Sequence, residues 1–187
     1  MELLAIDPAT TALVLIDLQQ GIVVLPVAPR PGAEVVANAR RLLERFRSLG
    51  STVVLVRVGF LGENDRLNLP VDAPAPGRPD RGDLVAEIGP QEGDIVITKR
   101  QWGAFYGTEL DLQLRRRGIR TIVLGGIATN FGVESTARDA YERGYGQIFA
   151  EDAMSSVSAE GHAFTVKLVF PRIGRVRSTN EILRALG

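Results

Sequence analysis

Three positions in this sequence carry residue types that could do chemistry together. Asp17 follows the apolar run TALVLI and precedes LQQG, Lys99 closes DIVITK, and Gly132 stands in the turn of TIVLGGIATNFGVESTARDAYERGY, which starts at Thr121. A carboxylate can give or take a proton, and an ammonium can hold that carboxylate or a substrate anion. A glycine leaves space beside a helix start, where N–H groups bind an anion or a developing oxyanion. Each residue also has a plainer reading. Asp17 with Gln20 three residues on makes a capping box, and a lysine ending a strand commonly snorkels to solvent. Taken together, they fall at the same edge of the predicted sheet, which favours the chemical reading.

The elements that would carry them follow a regular alternation. TALVLI (11–16), STVVLVRVGF (51–60), DIVITK (94–99), TIVLGG (121–126) and GQIFA (146–150) read as strands, with RIGRVRS as a weaker sixth. Near-continuous apolar runs suit parallel strands covered on both faces. Between them lie helical patterns. Residues 33–50 place Val35, Val36, Ala39, Leu42, Leu43 and Phe46 on one stripe and close at Gly50, and further helices are expected over 107–118, after Asn130, over 158–170 and from near Ser178. Strand–helix alternation predicts one three-layer α/β/α, Rossmann-like domain over residues 1–187, with a mostly parallel six-stranded sheet. In such sheets the ligand crevice lies beyond the carboxyl ends of the strands, where strand order reverses. Asp17, Arg57, Lys99 and the Gly125–Gly132 turn fall there. Residues 61–94 break the rhythm with five of the ten prolines and five of the twenty glycines. A loop of that length is a lid, a subunit contact or irregular surface.

Composition removes several chemistries. The chain has 187 residues and no cysteine, so disulfides, thiolate metal sites and cysteine nucleophiles are excluded. Its 22 acidic and 22 basic residues balance, which gives no field towards nucleic acid or membrane. No segment is apolar enough to span a bilayer, and a cytoplasmic location is the default. GGIATNFG is neither a dinucleotide-binding glycine motif nor a P-loop, and no G-x-S-x-G elbow occurs. His162 is the single histidine, better suited to a structural hydrogen bond than to a triad. Neither a metal nor another cofactor is expected.

The residues around these positions resemble a known family. LIDLQ, TKRQWGAFYGTELDLQLRRRGI and VLGGIATNFGVESTARDAYERGY are together similar to the isochorismatase-like hydrolases of the cysteine hydrolase superfamily, closest to the YecD-type branch, from about Thr10 to Leu186. The resemblance implies an aspartate–lysine–cysteine triad in which Asp17 and Lys99 match the first two members and Gly132 occupies the cysteine position. It also implies loss of acyl-enzyme chemistry. Isochorismatases proper likewise carry glycine there, and cleave an enol ether with release of pyruvate, the aspartate serving as acid. Nicotinamidases bind a metal through histidines that this chain lacks. A non-proline cis peptide, common in the family's turn, maps to Ile127–Ala128.

The expectation is therefore a cofactor-free hydrolase acting by acid–base chemistry on a small, carboxylate-bearing substrate. The alternatives are an amidase-like reaction with water activated by Asp17, or a non-catalytic ligand-binding or assembly protein derived from the family. Around the site, Gln19 would brace the Asp17 turn. Arg57 would pair with a substrate carboxylate or form a structural salt bridge. Trp102, Phe105 and Tyr106 would wall a small pocket, Thr129 and Asn130 would cap the helix and border the crevice, and Phe131 would be core or wall. The resemblance further implies a homo-oligomer, dimer or tetramer, which light scattering would decide.

Overall fold

The apolar run TALVLI forms β1 (Thr11–Ile16), and all six residues are buried because helices cover both faces of the sheet. The computed structural model describes residues 5–59, 72 and 81–187. Within these, β1 is joined by β2 (Thr52–Val58), β3 (Ile95–Lys99), β4 (Thr121–Ile127), β5 (Gly146–Ser155) and β6 (Arg175–Arg177) in a six-stranded sheet of order β3-β2-β1-β4-β5-β6. Every pairing is parallel. The chain builds outward from β1 to β3, then restarts on the other side of β1 with β4. Strand order therefore reverses between β1 and β4, which sets the crevice beyond Ile16 and Ile127.

Alternation along β1 divides the core. Leu13 and Leu15 join Val53, Leu55 and Val123 beneath helix α2 (Gly32–Ser48), which contributes Val35, Leu42, Leu43 and Phe46. Ala12, Val14 and Ile16 join Val54, Val56, Ile122 and Leu124 on the other face, packed by Leu110 and Leu114 of α3 (Leu110–Arg116) and by Ala137 and Ala140 of α4 (Glu134–Glu142). The six-residue stripe expected on α2 is buried as predicted. That helix ends where Gly50 takes φ +65°. Ser178 caps α7 (Thr179–Ala185) through a capping box with Glu181.

Two expectations change in detail. β5 continues to Ser155 although Glu151 and Asp152 interrupt its apolar run, because both acidic residues have partners. Glu151 pairs with Arg30 at 3.1 Å, and Asp152 Oδ1 accepts from the Thr179 N–H and hydroxyl at 2.7 Å each. The helix expected over 158–170 forms as one continuous helical stretch to Ile173, made of α5 (Ala159–Phe164), a π-helical turn (Thr165–Val169) and α6 (Phe170–Ile173). A short helix, α1 (Gln20–Val23), follows β1. Most of the loop expected at 61–94 lies outside the described residues; its LVAEI segment holds a single 3₁₀ turn, Ala86–Ile88. Among the described residues no helix is long and apolar enough to cross a membrane.

Candidate functional site: an aspartate–lysine pair beside a glycine

β2 separates β1 from β3, so Asp17 and Lys99 end strands roughly 10 Å apart. Two local features close that distance. Asp17 takes φ +54°, a left-handed conformation that aspartate tolerates better than most residues, in a turn where the Gln19 N–H donates to Asp17 O at 2.8 Å. Lys99 extends its long side chain across the end of β2. Its Nζ lies 2.7 Å from Asp17 Oδ2, and both residues are buried, at 2% and 6% exposure. The capping-box reading of Asp17 fails because α1 begins only at Gln20, and Gln19 occupies its N-cap.

Lys99 Nζ also donates to Trp102 O at 2.9 Å and Gln101 O at 3.3 Å. Asp17 Oδ2 is thus held, while Asp17 Oδ1 is buried with no hydrogen-bond partner among the described residues. Burial pushes the Asp17 carboxyl above the ordinary carboxylate range. The Lys99 ammonium and, more weakly, the Arg81 charge and the nearby Val58 N–H act downwards but do not overcome it. Desolvation thus outweighs the neighbouring ammonium.

Gly132 sits in a π-helical turn (Thr129–Val133) that leads into α4. A Cβ built on it would stand 3.2 Å from Lys99 Nζ and 3.3 Å from Asp17 Oδ2. The space at this position is therefore part of the site, and a side chain there would press on the pair. The turn is preceded by a cis peptide between Ile127 and Ala128, at the bond that the resemblance indicated. A Gly132→Cys variant is expected to carry a thiol about one to two units below the usual cysteine pKa of ~8.5, given the adjacent ammonium and helix start. Because the chain has no cysteine of its own, the pH dependence of iodoacetamide labelling reads that thiol alone. Labelling with an ordinary midpoint would contradict the geometry.

The pair opens into a cleft of about 200 Å³ whose lining includes Gly132, Ile127, Ala128, Phe131 and Trp102. Trp102 is 60% exposed and meets the Phe131 ring edge-on, with centroids 4.9 Å apart. Several expected residues lie elsewhere. Phe105, at 4% exposure, stacks on Tyr145 in the core and is not a pocket wall. Arg57 is not among the lining residues; it donates to Thr98 Oγ1 and Asp83 Oδ1, both at 3.1 Å, as the salt-bridge alternative anticipated. Gln19 does not line the cleft but braces the turn, with Nε2 donating to Val58 O and Gly82 O and Oε1 accepting from the Val58 N–H.

Thr129 is buried behind the cleft. Its hydroxyl donates to Ser155 O at 3.0 Å, which leaves no proton for His162, 2.9 Å away. Nδ1 of His162 is therefore the donor in that contact. Burial and the Arg30 charge lower the His162 pKa to about 4. Below 6.5 the unfolded chain binds a proton that the folded chain refuses, so stability present above that pH is lost as pH falls towards 4. The loss is expected to be about 1–3 kcal/mol, allowing for screening. Denaturant midpoints at about pH 7 and about pH 4.5 should show a smaller difference in His162→Asn than in the native protein.

Sequence reasoning missed Ile22, Leu25, Val27, Val58, Arg81, Arg100, Gln101 and Val157 of the cleft lining. Most sit in irregular segments, where periodicity carries no signal. Val58 is an exception: it follows Arg57 near the end of the second predicted strand, at the edge where the crevice is expected.

Comparison with known proteins agrees with this architecture. The isochorismatase domain model matches residues 11–181. YecD, an isochorismatase family protein of Escherichia coli O157:H7, is 52% identical over 188 residues, covering 98% of this chain and 100% of that one. The ureidoacrylate amidohydrolase RutB of Agrobacterium fabrum is 32% identical over 185 residues, covering 81% and 78%. The structure of an isochorismatase family protein from Burkholderia thailandensis is similar at a TM-score of 0.92 and 43% identity, covering 99% of each chain. With a match across nearly its whole length and a sheet, crevice and turn arranged as described, this chain belongs to the isochorismatase family of hydrolases, as a member whose sequence holds no cysteine.

Proposed function

We propose that the protein hydrolyses a small, carboxylate-bearing enol ether by acid–base chemistry, without a covalent intermediate. The observation that carries this reading is the asymmetric carboxyl of Asp17. Oδ2 is held by Lys99, Oδ1 has no partner among the described residues, and burial favours the protonated form. A proton on Oδ1 can be given to the terminal vinyl carbon of the substrate. Water then adds to the resulting cation, returning a proton to the carboxylate, and the hemiketal collapses to pyruvate and an alcohol. The Gly132 notch and the start of the helical turn leave room for the reacting group beside the pair.

The amidase-like alternative uses the same carboxyl as a base on water. Its support is the 32% identical relative that bears an amidohydrolase name. A panel of enol-ether carboxylates followed by pyruvate release, run beside small amides and ureides followed by ammonia release, separates the two. Pyruvate from the first panel with no ammonia from the second is the expected result. Ammonia alone would transfer the assignment to the amidase. Turnover of neither, with Asp17→Asn leaving ligand affinity unchanged, would leave a binding protein.

A further inference from the structure

The cleft needs a group to hold its ligand's charge, and the obvious cations are occupied. The Lys99 ammonium has three protons, and Asp17 Oδ2, Trp102 O and Gln101 O already take them. It has no donor left for a ligand. Arg57 is engaged by Thr98 and Asp83 outside the cleft lining, and Arg100, which does line the cleft, has an interaction of its own. Arg81 is placed differently. It lines the cleft beside Asp17, and its charge is close enough to act on the Asp17 carboxyl.

The sequence fixes that placement through the residues directly after Asp17. The Gly21 N–H donates to Arg81 O at 2.9 Å, and the Gln20 N–H donates to Asp83 O at 3.0 Å. Gln19 forms an antiparallel bridge with Leu84, and its Nε2 donates to Gly82 O at 2.8 Å. The Val85 N–H donates to Leu18 O at 3.0 Å. LQQG is thus a template for residues 81–85, and Arg81 is tied to the turn that carries Asp17. Gly21 permits this approach, since a Cβ there would stand 3.1 Å from Arg81 O and 3.2 Å from its Cα.

Apart from Arg100 and Gln101, the walls around these charges are largely apolar, with Ile22, Leu25, Val27, Ile127, Phe131 and Val157 among them. Ionised or protonated, Asp17 leaves its pair with Lys99 no net negative charge, so an added cation favours a ligand with an apolar body and an anionic head. We propose that Arg81 is the anion anchor of this cleft, pairing with the carboxylate of a small ligand whose apolar part packs on these walls. The proposal rests on reading the cleft as the hydrolase's substrate site, and it names the side chain that selects carboxylates there.

Benzoate and benzamide test it, since they share a shape and differ in charge. Ligand-detected NMR or calorimetry would compare the native protein with Arg81→Gln and Arg81→Lys. The native protein should prefer benzoate by roughly tenfold or more, the scale of one charge-assisted hydrogen-bonded pair. Arg81→Gln should bring the two probes near parity while keeping benzamide affinity, which also reports an intact fold. Arg81→Lys should retain part of the preference. The proposal is overturned if the native protein shows no preference or binds neither probe at tens of millimolar. It is equally overturned if Arg81→Gln keeps the preference or weakens both probes alike. Because binding needs no turnover, the two readings fail separately. An Arg81-dependent preference in a protein that hydrolyses nothing removes the acid–base reading alone, whereas a hydrolase whose KM is unmoved by Arg81→Gln removes the anchor alone.

Discussion

Replacing Asp17 with asparagine is expected to lower kcat about 10²–10⁴-fold, the range for removal of a positioned general acid or base. The size of the effect follows from which oxygen is free. Lys99 is a donor only, so it will hold the amide oxygen where it now holds Oδ2. The amide NH₂ then stands in place of Oδ1, with nearly the same shape and no proton to give at neutral pH. KM should therefore change much less than kcat. Asp17→Glu should also be poor, because the extra methylene pushes the carboxyl into the space beside Gly132. Dependence on pH separates the two roles. With the carboxyl raised by burial, an acid loses activity as pH rises through that pKa, while a base loses it as pH falls. A kcat in Asp17→Asn within a few-fold of native would show that the carboxyl takes no part in the reaction.

The pair itself was legible in the sequence, and the reason is topological. A residue closing an apolar run of parallel-strand type is carried to the ligand edge of the sheet whatever its side chain. Asp17 and Lys99 could thus be placed near each other without knowledge of strand order. Their contact could not be read, because it needs Lys99 to cross β2 and Asp17 to adopt a positive φ. Gly132 stands out by its place at a helix start as well as by resemblance, and the 3.2 Å and 3.3 Å approaches that a Cβ would make give it physical meaning.

The walls of the cleft were much less legible. TKRQWGAFYGT offers three aromatic residues within five positions, and sequence alone cannot tell which turns inward. Trp102 reaches the cleft and Phe105 the core, because the segment is irregular and follows no period. Arg57 and Arg81 show the same limit from the other side. Arg57 ends a strand and was therefore noticed, yet its side chain goes to Thr98 and Asp83. Arg81 ends no strand, and the backbone pairing of residues 81–85 with residues 18–21 brings it in.

Lys99→Met is expected to cost about 3–5 kcal/mol of folding stability near neutral pH, the usual penalty for leaving one member of a buried ion pair without its partner. The loss should depend on pH in a defined direction. With the ammonium gone, nothing strong opposes the effect of burial on Asp17, and its folded pKa moves further above the unfolded value. A carboxyl raised in this way is not penalised below its unfolded pKa, where both states are protonated. The penalty grows as pH rises from about 4 to the folded pKa and is constant beyond it. The variant should therefore fall furthest below the native protein at neutral to alkaline pH and approach it near pH ~4, where titrations shared by both proteins cancel in the difference. Adding Asp17→Asn to Lys99→Met removes the stranded carboxyl and should recover much of the loss, giving a coupling energy of about 1–3 kcal/mol in a double-mutant cycle. Denaturant unfolding of the four proteins at both pH values measures all of this. Additive losses, or a Lys99→Met deficit that does not shrink on acidification, would mean that the two charges do not depend on each other in the folded protein.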